Sequence, residues 1–465
     1  MQTTFLILKI KLILPRRKIT TMKYLAQSAL ITILFLCQCC SQNQEEGVKM
    51  ENINYSQFMG SEISTLHIYV KSMDLSTGRV EVRGSDRAKP EKPFNVNWGD
   101  DTVSEGKFPF EHVYVDRTNN YIIKVKSHYS DTSSDSAEAY IRFVLPRLEP
   151  IALDSKTTVT VPKSKIDLKS RLPQEGMYKF SQSLSFFSDE FLPQPTRDMI
   201  EYVLSTAALI QMDFVNHNVY MEDSTFQQVL LRDAGFGGMY SLWFTDPVSF
   251  GVGDYGLQGT IQWSSFFHEM GHNFTLNTPA DHYFGGKIDG NANAIYSESM
   301  AQIFQHATAL SLVNNYDKYG ISPDLAYEIK LSAENSFKGL ARRYGEYIAS
   351  GFPYVSWNNP DTPNDETLPT FMTIAYKFFA YAEQGNYDYQ QSLKRMLFFL
   401  QTFNEEWEEK YDRQHNTKEA DEFRATLMVS ALSYAFEDDF RADFIKLNFP
   451  INNMIYDGLL AAVEK

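Results

Sequence analysis

The sequence predicts a multidomain protein in which a β-sandwich precedes an α+β lobe and a helical lobe. The length of 465 residues exceeds that of one average domain, and the apolar fraction of 43% is that of a folded chain. Within 63–147, apolar and polar side chains alternate in short runs, as in strands with one buried face. After residue 296 the apolar residues recur every three or four positions, which predicts helices.

The N-terminal segment has the composition of a secretion signal. Its first 39 residues contain six basic residues and no acidic one, and an apolar run extends from Leu25 to Cys37. This run is short for a membrane span, although an uncleaved hydrophobic anchor is the alternative. The sequence at 36–41 resembles a bacterial lipobox and predicts lipidation of Cys40, or of Cys39. Met22 is a more natural start than Met1.

Export and lipidation would leave residues 40–62 as a tether to the membrane. Residues 41–46 resemble the acidic signal of surface lipoproteins, so we expect an outer-membrane lipoprotein at the cell surface. Signal cleavage removes six of the 43 basic residues and no acidic one, so that 37 face 58, a net charge of −21. Such a charge argues against nucleic-acid binding. All three cysteines lie at this junction, which leaves none for a disulfide in the folded part.

The predicted sandwich contains a recognisable turn and strand. The strand-like runs are 66–70, 79–83, 94–98, 121–126 and 139–143. The turn at 98–101 and the strand start at His112 and Tyr114 resemble those of the PKD domain, an immunoglobulin-like module, with Asp101 in place of its last glycine. The resemblance implies a spacer or contact surface at 63–147. Asp100 and Asp101 either cap the turn or bind Ca²⁺.

A proline-containing linker at 146–150 leads to the α+β lobe, 151–275, and then to the helical lobe, 276–465. In the first lobe we expect a strand at 157–161, irregular structure at 173–195, a helix at 196–214, strands within 219–245 and a glycine-rich loop at 251–259. In the second we expect helices at 297–315, 322–350, 367–384, 387–410, 418–437, 440–446 and 451–464.

A metal-binding pattern occurs where the two lobes meet. His268 and His272 are four residues apart in a helix-competent run, so both imidazoles can bind one Zn²⁺ while Glu269 points at the water that the metal polarises. Glu298, near the start of the next helical run, is the predicted third ligand. His282 is a weaker alternative.

Other polar residues near this pattern are assigned supporting roles or none. Gln302, one helical turn after Glu298, is expected to fix the orientation of one metal-binding side chain without binding the metal itself. The candidate donors to a developing oxyanion are Tyr283, Tyr296 and His282. The remaining histidines of this part of the chain are interpreted as non-catalytic: His217, His306 and His415.

Three segments, 263–273, 298–304 and 427–451, resemble the enhancin and mucin-degrading zinc peptidases of peptidase family M sixty, which are gluzincins. The resemblance extends over 151–465. It implies an exported zinc endopeptidase in which Glu269 is the general base and glycoproteins or mucin-like proteins are the substrates. The chain departs from the family where Leu447 and Asn448 replace Trp-Gly, and where the glutamine and tryptophan expected soon after His272 are not obvious.

A second class of function stays open beside this one. The alternative is a non-catalytic surface lipoprotein that binds glycans or proteins on a peptidase scaffold. The intact Glu269 favours the enzyme, because a decayed site usually loses this residue first. An aminopeptidase is disfavoured, since no G-x-M-E-N sequence precedes the histidines.

Overall fold

Two antiparallel β-sheets, a mixed sheet and a set of long helices form the structure, which is a computed structural model. The described residues are 52–59, 66–86, 90, 92–130, 133–144, 194–215, 261–276, 294–354, 364–400, 402–403 and 418–463, with the strands at 157–160, 177–180, 184–188, 227–231, 239–242 and 249–252. The predicted signal segment, both candidate lipidation sites Cys39 and Cys40, and the junction at 145–150 lie outside them.

The N-terminal region contains two antiparallel sheets, as predicted. One has the order β1-β2-β5, with β1 at Leu66–Asp74, β2 at Arg79–Asp86 and β5 at Phe110–Val113. The other has the order β4-β3-β6-β7, with β4 at Val103–Gly106, β3 at Phe94–Asn97, β6 at Tyr121–His128 and β7 at Ser134–Ile141. Alternate side chains of both sheets enter one apolar core.

Two strands of these sheets differ from the sequence expectation. β4 was not predicted, and β7 begins at Ser134 rather than at Ala139. Neither β4 nor the first three residues of β7 contain a buried residue. They pair through backbone hydrogen bonds, so their side chains carry no apolar alternation that sequence could reveal.

The turn after β3 uses its acidic residues locally. Gly99 has φ 81° and Asp101 has φ 66°, so Asp101 adopts the left-handed backbone that a glycine would provide. The Asp100 carboxylate accepts the Thr102 N–H and hydroxyl and lies 2.7 Å from His112 Nε2. The carboxylate of Asp100 is therefore engaged as a turn cap, which is the first of the two roles expected for it.

The mixed sheet is formed by strands on both sides of the first long helix, Gln194–Val215. Its order is β10-β11-β13-β12, with β10 at Leu184–Ser188, β11 at Gln227–Leu231, β13 at Ser249–Val252 and β12 at Met239–Leu242. β12 is antiparallel to its neighbour and lies at the edge of the described sheet, whereas the other pairs are parallel. A separate hairpin pairs β8, Thr157–Thr160, with β9, Met177–Phe180. β9 and β10 fall in the segment 173–195 that we expected to be irregular. They have only four and five residues, which is too short for a clear alternation of apolar and polar side chains.

The C-terminal part is helical, as predicted. The helices are α1 at Gln194–Val215, α2 at Trp263–Leu276, α3 at Ala294–Asn314, α4 at Pro323–Ala349, α5 at Asn364–Gln384, α6 at Tyr389–Leu400, α7 at Lys418–Phe436, α8 at Arg441–Lys446 and α9 at Asn453–Val463. α6 ends at Leu400 rather than at 410. Among the described residues, no helix is both long and apolar enough to cross a membrane.

The chain segment before the sheets packs on the helices. Residues 55–58 form a single 3₁₀ turn, in which Tyr55 and Phe58 stack on Phe337 of α4. The backbone N–H of Ile53 donates to Asn314 Oδ1, and Ile53 is buried. The described residues of the predicted tether therefore pack against the helices as part of their core.

A buried ion pair joins the antiparallel sheets to the helices. Arg142, just after β7, donates through Nε to Glu328 of α4 at 2.9 Å, and the two side chains are 1% and 3% exposed. Glu328 Oε1 also accepts the indole N–H of Trp263, the first residue of α2, at 3.1 Å. Burial raises the pKa of Glu328 above its ordinary value, although Arg142 and Trp263 act to lower it. The pair therefore depends on every partner being present.

We predict that Arg142→Met destabilises the protein by about 3–5 kcal/mol, because it leaves the Glu328 carboxylate buried without its cation. Urea unfolding followed by circular dichroism measures this. The double variant Arg142→Met/Glu328→Met is expected to recover most of the loss. Arg79→Met is the matched control, since Arg79 pairs with Glu111 on the surface. Equal effects of Arg142→Met and Arg79→Met would contradict the prediction.

Candidate metal centre

The helix that carries both histidines has one buried face. The residues Trp263, Phe266, Phe267 and Met270 of α2 follow the i, i+3, i+4, i+7 spacing and are fully buried. The remaining face of the helix carries His268 and His272. Apolar packing therefore determines which way the two imidazoles point.

A glycine allows α2 to lie unusually close to α3. A Cβ added at Gly271 would lie 2.8 Å from Phe304 Cβ and 3.3 Å from Ala301 Cα. No side chain fits between the helices here without moving one of them. This close approach brings Glu298 of α3 to the two histidines.

Three candidate ligand side chains converge at this place. His268 Nε2 and His272 Nε2 are 3.1 Å apart, and Glu298 Oε2 and Oε1 lie 3.3 Å and 3.5 Å from them, respectively. In a tetrahedral zinc site with bonds of roughly 2.0–2.1 Å, ligand atoms are separated by about 3.3 Å. Among the described residues, these three form the one group of histidine, cysteine and acidic side chains with such a spacing. Their geometry and donor types fit a Zn²⁺ ion.

The carboxylate of Glu298 is held in its charged form. Burial acts to raise the pKa of this carboxyl, but the imidazoles of His272 and His268 lower it by more, and the result lies below the ordinary value. Glu298 is therefore an anion at neutral pH, which is the state that a metal ligand requires.

Gln302 contacts the ring of His268 on the side away from Glu298. Its Nε2 is 3.2 Å from His268 Nδ1, and the side chain is 8% exposed. A metal at Nε2 requires a proton on Nδ1, and this N–H needs an acceptor. The amide of Gln302 provides one when its oxygen faces the ring, a half-turn that leaves the shape of the side chain unchanged.

The other predicted site residues have different positions. Glu269 follows His268 on α2 and is partly exposed. Tyr296 lies in the apolar core, where burial raises the pKa of its hydroxyl, and it is about 200° around α3 from Glu298. Tyr283, His282, His217 and His415 lie outside the described residues.

His306 has the packing role that we expected. Its Nδ1–H donates to the Gln302 carbonyl at 2.7 Å, and its ring contacts Phe337. Burial is the main reason that the pKa of His306 falls to about 4, so the ring is neutral at pH 7. It supports the turn of α3 that carries Gln302.

Sequence reasoning missed the role of Gly271. A glycine inside a helix lowers the stability of that helix, so the presence of Gly271 between two predicted ligands was the available signal.

Comparisons of the chain with protein-family models, with curated proteins and with solved structures find no match.

We predict that Gly271→Ala weakens zinc binding about tenfold, because the added methyl group separates α2 from α3. Competition with a chromogenic chelator measures the affinity. Gly339→Ala is the matched control, since Gly339 is also inside a helix but an added Cβ there meets nothing within 4 Å. The control is expected to bind zinc normally. Unchanged affinity in Gly271→Ala would show that close helix approach is not required.

Gln302→Leu is expected to lower zinc affinity by about 10–100-fold, because Nδ1–H of His268 loses its acceptor. Gln302→Glu retains an acceptor and is expected to bind zinc as well as the unaltered protein does. The same chelator competition tests both variants. Gln305→Leu, on the same helix and hydrogen-bonded to Ser336 instead, is the control. A Gln302→Leu variant with full affinity would remove Gln302 from the site.

Proposed function

We propose that this protein is a zinc-dependent endopeptidase. The observation that carries the proposal is the triangle of His268, His272 and Glu298, whose ligand atoms are 3.1–3.5 Å apart beside a partly exposed Glu269. Two neutral imidazoles and one carboxylate are the ligand set of many hydrolytic zinc sites and leave a fourth position open. We propose that each chain binds one zinc ion.

The chain's own residues would perform the proton transfers. Zinc, when bound, supplies a Lewis acid that polarises a carbonyl group and acidifies water. A Glu269 carboxylate oxygen accepts the proton of the attacking water and delivers it to the leaving amide nitrogen as the C–N bond breaks. Glu298 and the two histidines hold their geometry through the contact between α2 and α3, and Gln302 fixes the ring of His268.

The mixed sheet offers a place for an extended substrate. β12, at the edge of the described sheet, contacts α2. An edge strand presents unpaired backbone groups that a peptide can join as a further strand. We propose that the substrate lies along β12, with its scissile bond at the metal. Such binding uses backbone hydrogen bonds, so any preference for particular substrate side chains would come from the pockets that hold them.

The family resemblance supplies the substrate class and the family assignment. From the three similar segments we propose an enhancin-like gluzincin that cleaves glycoproteins or mucin-like proteins. A PKD-like module would precede it in the chain. At Asn448, which stands where the family pattern has glycine, the backbone φ is 63°, a left-handed conformation that glycine and asparagine adopt more easily than other residues. The proposed location remains an exported outer-membrane lipoprotein, anchored through Cys40 or Cys39.

Glu269→Gln is expected to keep its zinc and to lose at least about 100-fold in hydrolysis rate, because the general base is removed while the ligands stay. Release of peptides from casein and from a mucin, with zinc content by mass spectrometry, measures both properties. Glu298→Ala is expected to lose zinc and activity together. The control Glu111→Gln changes a surface carboxylate of the antiparallel sheets.

The same experiment separates the two classes of function. If Glu269→Gln hydrolyses both substrates at the unaltered rate while zinc stays bound, the catalytic proposal is wrong. If the unaltered, zinc-loaded protein cleaves neither substrate but binds mucin, the non-catalytic binding protein is the better description.

A further inference from the structure

A cavity separate from the ligand atoms lies where the antiparallel sheets meet the helices. Its volume is about 330 Å³, and its walls come mainly from β1 and α4, with Gln302 of α3 also among the lining residues. Pockets for small ligands begin at roughly this size. His268, His272 and Glu298 are not part of its wall. Gln302 touches Nδ1 of His268, so the cavity reaches the metal centre from behind, opposite the Nε2 atom that faces Glu298.

Positive charge is concentrated at this cavity. Arg342 and Arg343 line it, and both pair with a single carboxylate, Glu346, at 3.7 Å and 3.0 Å. Burial, then Arg342, Arg343 and Lys338, lower the pKa of His67 to about 4, so three cations act on one ring of the wall. In a chain of net charge −15, such a cluster is local and favours an anion.

The acidic residue in the wall does not cancel this charge. Glu328 lines the cavity, but its two oxygens are held by Arg142 and Trp263. The neutral groups of the wall include the side chains of Gln262 and Asn335. Asn335 Nδ2 donates to the Glu138 carbonyl at 2.8 Å, and its amide oxygen is a hydrogen-bond acceptor, whereas a glutamine amide such as that of Gln262 can donate and accept. The wall therefore combines cations with neutral polar groups.

A glycine keeps part of the wall bare. Gly339 lies in the middle of α4, Pro323–Ala349, and lines the cavity. A Cβ built there meets nothing within 4 Å, so neither close packing nor a turn explains the residue. A glycine inside a helix lowers its stability relative to alanine. The open volume of the cavity is the feature that this glycine preserves.

We propose that the cavity binds a small organic carboxylate, of about the size of one sugar or amino-acid residue. The carboxylate lies against Arg342 and Arg343, where guanidinium groups can donate paired hydrogen bonds. The polar body of the ligand lies against Gln262 and Asn335, along the bare wall at Gly339. The proposal does not depend on peptidase activity, since none of these residues is a ligand of the metal.

Titration calorimetry on the full chain tests the proposal with two carboxylates, glucuronate and N-acetylglutamate, and their neutral counterparts glucose and N-acetylglutamine. We expect saturable binding of at least one carboxylate, and at least tenfold weaker binding of its neutral counterpart. Tighter binding of glucuronate would identify the ligand as a sugar acid, and tighter binding of N-acetylglutamate would identify it as part of a peptide. Binding is expected to persist after zinc is removed with a chelator, which separates this result from the metal proposal.

Variants locate the binding to the cavity. Arg342→Gln/Arg343→Gln is expected to weaken the carboxylate at least tenfold, and Gly339→Met to abolish binding by filling the space. The surface variant Arg79→Gln is expected to bind as the unaltered protein does, because Arg79 pairs with Glu111 on the surface. Thermal unfolding verifies that each variant is folded. If the arginine double variant is unfolded, Gly339→Met decides.

Three results would overturn the proposal. One is the lack of saturable binding by either carboxylate to the folded, unaltered protein. Another is equal affinity for a carboxylate and its neutral counterpart. The third is full carboxylate affinity in Gly339→Met, which would place the binding elsewhere.

Discussion

The buried contact of Glu328 with Arg142 and Trp263 is the constraint on which the arrangement of this protein depends. It joins the end of β7, the first turns of α4 and the first residue of α2 at one point that solvent does not reach. Removing two charges from water costs free energy that only complete pairing offsets, so the contact tolerates few other arrangements. Because α2 begins there, the position of the antiparallel sheets and the position of the metal helix are linked.

The metal centre depends on a second constraint, the close packing of α2 on α3. Gly271 lets the backbones approach, and the approach places Glu298 within 3.3–3.5 Å of two imidazole nitrogens. Apolar packing and a glycine therefore account for the geometry of the three side chains, which is the geometry that the proposed zinc ion would require.

Gln302 belongs to both features that we interpret functionally. Its amide contacts Nδ1 of His268, and the same residue lines the cationic cavity. The antiparallel sheets contribute His67 and the strand that carries it to this cavity. In the proposed peptidase, the N-terminal sheets would thus hold the metal helix in place and complete a binding site, beyond serving as a spacer.

The sequence alone was sufficient to predict the pattern of the elements and to propose His268, His272 and Glu298 as metal ligands. An element with one buried face shows that face in its own sequence, as apolar residues with a period of two in a strand or about 3.6 in a helix. The i, i+4 spacing of His268 and His272 places both on one face of a helix. Short strands with exposed side chains, such as β4, carry no such pattern. The pairing of Arg142 with Glu328, 186 residues apart, the role of Gly271 and the gathering of Arg342 and Arg343 near His67 were decided by tertiary structure alone. These are contacts between distant segments, and no local periodicity records which distant partner a residue meets.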